Sequence, residues 1–350
     1  MRTLVISDLH LGARTGVGVL HQPAPLEALV AALDAIDRLV LLGDTIELRQ
    51  GPAAEALEAA APVLAALGAA MAEGEIVLVP GNHDHALTAP WAESRGRALA
   101  LDERAAPAEA SPLAAAVAAA LAPAATTVAY PGLWLAEGVY ATHGHYLDVH
   151  GTVPAYERLS AGVLARALGG PPATGAVPDD YESVLAPMYA LLGAVAARAT
   201  PGRPVRGTGA AGRAWRSLTH EGRRPLRARL AVAAFPVAIA AINRAGIGPV
   251  RGDLSGDALR RGGLHGMREA LRRLGVGAET VIFGHTHRTG PLPADDAREW
   301  TGLLNTGSWV HEPHFVGREG SAGPYWPGGA ALVEPGRPPV LLRVLADVAL

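Results

Sequence analysis

The chain has 350 residues, 49% hydrophobic and 18% charged, with a formal net charge of −3, enough apolar material for one large domain or for a core with a sizeable insertion. It has no Cys, which excludes a disulfide framework, a thiolate metal site and a cysteine nucleophile, so any metal has to be held by His, Asp, Glu or Asn. All 30 basic residues are Arg, and 16 of them fall between Arg198 and Arg273 against four acids, a local balance of +12 that leaves −15 on the remainder.

Met1-Arg2-Thr3 leads straight into an apolar run, without the basic, apolar and small-residue regions of a signal peptide. The longest strongly apolar run, Leu230 to Ile242, is interrupted by Pro236 and spans 13 residues, short of the roughly 20 that cross a bilayer. The expectation is a cytoplasmic protein, with peripheral association to an anionic membrane through residues 198–273 as one use for the Arg cluster. Guanidinium forks suit phosphate oxygens, whether of lipid headgroups, nucleotides or nucleic acid, the last being the less favoured partner. Nothing in the sequence addresses the oligomeric state.

In chain order, short apolar runs at Leu4 to Ile6, Leu39 to Leu42, Ile76 to Val79, Val139 to Ala141 and Val281 to Phe283 read as buried strands. Helical patterns lie between them, Leu26 to Ile36 and Ala53 to Ala72, and this alternation indicates an α/β fold. Ser111 to Ala124, nearly pure Ala, Leu, Val and Pro, reads as a surface helix of low complexity. Residues 151–275 read as a helical, Arg-rich insertion, with helices over Ala155 to Leu168, Tyr181 to Ala199, Pro225 to Ala245 and Leu264 to Leu274 joined by Gly/Pro linkers. Residues 1–150 and 276–350 then form the core, closing with strand-like runs near Leu303, Ala330 to Val333 and Val340 to Val344 in a more antiparallel arrangement.

The strands end in chemistry. "SDLH" offers Asp8 and His10, "LLGDTIE" Asp44, "LVPGNHDH" Asn82 and His83, "YATHGH" His143, and "VIFGHTH" His285 and His287. In open α/β sheets ligands gather beyond the carboxyl ends of strands, so five strands deliver Asp, His and Asn groups to one edge. A carboxylate can span two cations, and this mixture of imidazole and oxygen donors suits Mn²⁺, Fe or Zn²⁺ better than Ca²⁺.

These blocks, with "NTGSW" at Asn305 to Trp309, resemble the calcineurin-like metallophosphoesterase superfamily. "SDLHLG", "GDxxE" and "GNHD" together look closest to its UDP-2,3-diacylglucosamine hydrolase branch, whereas the serine/threonine phosphatase branch carries GDxxDRG and GNHE. The resemblance implies a β-sandwich core flanked by helices (αββα) and two divalent metal ions, Mn foremost. Asp8, His10 and His287 would hold one ion, Asn82, His143 and His285 the other, with Asp44 as the bridge. It further implies hydrolysis of a phosphodiester or pyrophosphate in an anionic, lipid-linked or nucleotide substrate, by attack of hydroxide shared between the ions.

His83 resembles the superfamily's general acid. Asp84 either orients His83 or satisfies the surrounding loop. Arg14 and His145 are candidate substrate contacts, and the remaining histidines read as structural or surface groups. A cyclic-nucleotide phosphodiesterase or nuclease is the alternative enzyme. A non-catalytic interaction scaffold is disfavoured because every ligand position is intact.

Overall fold

In a computed structural model, residues 1–150, 170–200, 256–317 and 319–350 are described, together with Ala240 and Arg244. The expected helices over Ala155 to Leu168 and Pro225 to Ala245, the latter with the apolar run Leu230 to Ile242, lie outside the described residues apart from helical Ala240 and Arg244. The chain divides into two compact units, one of Met1–His145, Tyr189–Arg203 and Gly277–Leu350, the other of Tyr146–Met188 and Pro204–Val276.

The first unit is built on eleven strands among the described residues: β1 (Thr3–Ile6), β2 (Arg38–Leu42), β3 (Glu75–Val79), β4 (Asp102–Ala105), β5 (Ala125–Ala136), β6 (Val139–Thr142), β7 (Thr280–Phe283), β8 (Thr289–Gly290), β9 (Leu303–Thr306), β10 (Gly329–Val333) and β11 (Val340–Arg343). Hydrogen bonding runs in the order β11-β10-β1-β2-β3-β5-β6-β7-β9-β8, with β4 on β5. β1, β2, β3 and the first part of β5 are parallel, as are β6, β7 and β9. β10 and β11 are antiparallel additions. Twelve-residue β5 joins the two layers: Ala125 to Val128 pair with β3, whereas Gly132 to Ala136 pair with β6.

Period-two alternation sorts the side chains. Leu4, Ile6, Leu39, Leu41, Ile76 and Leu78 face a helical layer that includes Leu29, Val63, Leu64, Leu67 and Val117. Their neighbours Val5, Val40, Leu42, Val77 and Val79 pack with Leu133, Ala141, Ile282 and Leu304 from the other strands. Burying both faces explains why these strands read as continuous apolar runs. The fold is a mixed α/β architecture with a large sheet system and flanking helices.

Two features differ from the sequence expectation. β4 and β5 had no clear signature, because Asp-Glu-Arg and Thr, Pro and Gly interrupt their apolar pattern. The Ala-rich stretch forms the helix Pro112–Ala120, capped by Ser111 accepting from Ala114 N. It is not a surface helix: Ala114, Val117 and Leu121 are fully buried in the core. The helix Ala53–Ala70 is long and apolar enough to span a bilayer by composition, yet Ala60, Val63, Leu64 and Leu67 pack into that same core.

In the second unit, Tyr146 stacks on Tyr181 at 4.7 Å and His150 Nε2 lies 2.8 Å from the Tyr181 hydroxyl. The helix Gly256–Leu274 brings Leu147 against Gly266 and pairs Glu269 with Arg272 and Arg273.

Candidate metal centre

The chain leaves β1, β2 and β7 through unusual backbone. Of the six non-glycine residues with positive φ among those described, five are Asp8 (56°), His10 (46°), Asp44 (51°), His285 (66°) and His287 (56°). Each such conformation costs about 1–3 kcal/mol and persists only where its surroundings over-determine it. The glycines before Asn82 and His285 make room for this. A Cβ on Gly81 would sit 2.4 Å from Asp44 Oδ1, and one on Gly284 2.4 Å from Asp8 Oδ2.

The side chains form two groups around one carboxylate. Asp8, His10 and His287 bring donor atoms within 4.8 Å of one another, as do Asp44, His143 and His285, and a third triplet joins His10, Asp44 and His83. Asp44 Oδ1 accepts from the backbone N–H of His83 at 2.7 Å. Its Oδ2 lies 3.3 Å from His143 Nε2 and 3.9 Å from His10 Nε2, between the two groups.

Several donors face the wrong way for ordinary hydrogen bonding. His143 Nδ1 donates to the Leu42 carbonyl at 3.0 Å, and its Nε2 lies 3.0 Å from Asn82 Oδ1. His285 Nδ1 approaches the same oxygen at 3.0 Å, and in this orientation the Asn82 oxygen meets acceptors while its nitrogen meets donors. Rotating the amide would relieve this, and so would a cation coordinated by the amide oxygen, the carboxylate and the two imidazoles. In the other group, His10 Nε2 and His287 Nε2 stand 3.1 Å apart. Asp8 Oδ2 is engaged by His285 N and Ser7 Oγ, whereas its fully buried Oδ1 faces His287 Nε2 at 3.3 Å. The donor set therefore fits two divalent cations.

The field agrees. Burial would raise the carboxyls of Asp8 and Asp44, but neighbouring imidazoles, His143 foremost, hold both below the usual carboxylate range. Burial likewise opposes charge on His143, and Asp44 overrides it, raising the imidazole to about 10.

Around this centre lies a layer that fixes it. Glu47, to which the sequence reading assigned no role, is almost completely buried at the end of the "GDTIE" block. Its Oε2 accepts from His10 Nδ1 at 3.2 Å and from His83 Nδ1 at 2.8 Å, which turns both Nε2 atoms toward the site. Burial works against charge on His83, but Glu47 and then Asp44 raise it to about 9. Of the two tasks considered for Asp84, its carboxylate performs the loop one: it accepts from the N–H groups of Gly81, Asp44, Thr45 and Ile46. The carboxylate that meets the His83 ring is Glu47.

"NTGSW" has a comparable task. Asn305 Nδ2 donates to the Gly284 carbonyl and the Thr286 hydroxyl, Thr306 Oγ1 lies 2.7 Å from Ser7 Oγ, and Trp309 N donates to the Asp8 carbonyl. The motif ties the β7 and β1 loops together.

The two candidate substrate contacts are placed otherwise than expected. The Arg14 guanidinium is largely buried, bound to Glu55 and to the Thr200 carbonyl, so it does not reach out to a phosphate. His145 is buried behind His143, with ring centroids 5.6 Å apart and its Nε2 3.2 Å from the Tyr130 hydroxyl. Burial and the imidazoles around it hold it well below its ordinary value, hence neutral.

Residues 1–161 match the family described as calcineurin-like phosphoesterase. No curated protein matches the chain. Among solved structures the chain is similar to a cold-active protein-tyrosine phosphatase of a psychrophilic Shewanella species, at 13% identity and TM-score 0.31, covering 99% of this chain and 78% of that one. It is also similar to a dimetal phosphatase from Danio rerio, at 14% identity and TM-score 0.36, covering 97% and 95% respectively.

Proposed function

We propose that the protein is a metal-dependent phosphohydrolase, acting on a phosphodiester or pyrophosphate bond with two divalent cations, Mn²⁺ foremost. The observation that carries this reading is the convergence of Asp8, His10 and His287 on one side of Asp44 Oδ2 and of Asn82, His143 and His285 on the other. When bound, two such ions polarise a phosphoryl oxygen and lower the pKa of water, the chemistry that an in-line displacement at phosphorus needs.

The chain's own groups do the remainder. Asp44 and Asp8 supply negative charge at fixed positions, because each has one oxygen engaged by backbone N–H. His83, held by Glu47 at Nδ1 and protonated at neutral pH, presents Nε2 4.0 Å from Asp44 Oδ2. In this reading it gives a proton to the departing oxygen, the task of a general acid. The basic balance of residues 198–273 supports an anionic substrate with a lipid-linked or nucleotide leaving group.

The test is turnover by the Mn²⁺-loaded protein of an aryl phosphodiester, an aryl phosphomonoester, cyclic AMP and a UDP-linked diacyl sugar, with Asp44→Asn as control. Preference for the acylated diphosphate supports the lipid-linked reading, and preference for cyclic AMP moves the cyclic-nucleotide alternative ahead. Turnover of none of the four, or turnover that survives Asp44→Asn, contradicts the proposal.

A further inference from the structure

Beyond the second imidazole of "GHTH" the chain folds back on itself. Arg288, next in sequence to His287, sends its guanidinium to Asp295 as a two-pronged ion pair, Nη2 donating to Oδ1 at 2.6 Å and Nη1 to Oδ2 at 3.1 Å. Its guanidinium carbon lies 5.4 Å from the ring centroid of Trp300, within the range of a cation–π contact. Both members of the pair are largely enclosed and Trp300 is buried. Asp295 Oδ2 also accepts from Leu292 N at 2.8 Å, and a Cβ on Gly290 would fall 2.4 Å from the Trp300 ring. The excursion between β8 and β9 is thereby closed into a hook whose point is Arg288.

The hook starts where the backbone is most constrained. His287 has a φ of 56°, a conformation that persists only where its surroundings fix it. Upstream, His285 N donates to Asp8 Oδ2, and Asn305 Nδ2 donates to the Gly284 carbonyl and the Thr286 hydroxyl. Downstream, Thr289 N donates to the Pro324 carbonyl at 2.8 Å, and Arg288 supplies the side-chain anchor. The His287 ring itself is 27% exposed, against 6% for His10 in the same group. Packing therefore confines the His10 ring more than that of His287, whose position depends more on the backbone that Arg288 anchors.

We propose that Arg288 and Asp295, backed by the Trp300 ring, are positioning residues that clamp His287 in its coordinating conformation, so that the ion of the Asp8–His10–His287 group is bound separately from its neighbour and is the first lost when the clamp is broken. The inference rests on the dinuclear reading and adds to it an unequal, separately tunable affinity for the two ions. Its physical basis is that a guanidinium deprived of its carboxylate does not stay enclosed, and its departure releases the peptide that follows His287.

The experiment titrates the full chain with Mn²⁺, reading stoichiometry and affinity by calorimetry, the coupling of the ions by electron paramagnetic resonance, turnover of an aryl phosphodiester against Mn²⁺ concentration, and Tm. In Asp295→Asn one ion should bind as in the wild type and show the spectrum of isolated Mn²⁺. The dissociation constant of the other should rise by roughly 10- to 100-fold, the scale seen on losing a group that orients a ligand. The Mn²⁺ concentration for half-maximal turnover should rise with it, while kcat at saturating Mn²⁺ returns toward the wild-type value. Arg288→Lys, which keeps the charge and loses the fork, should show the same split to a smaller degree, and it carries the test if Asp295→Asn does not fold. Arg38→Gln is the control for lost stability alone: it breaks the pair with Glu75 at the starts of β2 and β3, and should lower Tm with both ions bound as before.

Two ions of wild-type affinity in both Asp295→Asn and Arg288→Lys overturn the clamp. Equal weakening of both ions overturns it as well, since the pair would then support the whole centre rather than His287. The same metal loss in Arg38→Gln assigns the effect to general destabilisation and also overturns it. A wild-type protein that binds fewer than two Mn²⁺ marks failure of the dinuclear reading itself, an outcome distinct from these.

Discussion

Glu47 places one negative charge between the Nδ1 atoms of His10 and His83, so its neutral isostere should disturb a ligand and the candidate acid together. Glu47→Gln is expected to lower metal affinity or turnover by about 10- to 100-fold, the usual cost of losing a carboxylate behind an imidazole, read from metal titration and kcat. His83→Ala should behave differently. Its ring stands beside the converging donors, so the protein should keep its metal while kcat falls by roughly 10²- to 10⁴-fold; loss of metal would reassign His83 as a ligand. The seven residues expected as ligands converge in the structure, and they could be picked out because each follows an apolar strand in a compact block. Glu47 was hidden in the same block, since its task shows only when two imidazoles from separate loops reach it. For Arg14, an arginine near a metal motif gives no sign in the sequence of its partners, Glu55 and the Thr200 carbonyl.

Strands, helices and turns divide the work between stability and site geometry, and the two can be separated by mutation. Leu64 is fully buried on the helix Ala53–Ala70, and Leu64→Ala should cost about 2–5 kcal/mol of unfolding free energy, measured by denaturant midpoint, with turnover per folded molecule retained. Gly284→Ala should act on the site. A Cβ there would fall 2.3 Å from Ser7 Oγ and 2.4 Å from Asp8 Oδ2, displacing a carboxylate of the proposed metal centre, so metal affinity should drop beyond what the roughly 1–3 kcal/mol cost of overpacking explains. Parallel strands buried on both faces announce themselves as apolar runs. β5 did not, because it leaves one layer for the other at Pro131-Gly132 and carries Thr and Ala where the inner strands carry Val and Leu. The Ala-rich helix Pro112–Ala120 offered no polar face from which to infer an inner one, and composition alone misplaced it on the surface.

Over the whole molecule, charge and metal binding are linked. The acids exceed the arginines by 15 outside residues 198–273, and Asp8, Asp44 and Glu47 are buried together at one edge of the first unit's sheets. Cations bound there would neutralise charge that the fold otherwise has to confine. Loading at about 100 times the dissociation constant should stabilise the native state by about 2.7 kcal/mol per site, seen as a rise in Tm that a chelator reverses. The sequence foretold the alternating α/β order and the edge where the groups meet. It did not foretell the register that brings Asp44 Oδ2 between His10 and His143, because that depends on β1, β2 and β6 sharing one sheet system through the bend in β5.

The most direct measurement is electron paramagnetic resonance of the protein titrated with Mn²⁺. Two ions sharing the Asp44 carboxylate would stand about 3.5–4 Å apart. The expected spectrum is that of an exchange-coupled pair that saturates at two ions per chain and is lost in Asp44→Asn. A spectrum of isolated Mn²⁺ at every loading, or saturation at one ion per chain, would contradict a dinuclear centre.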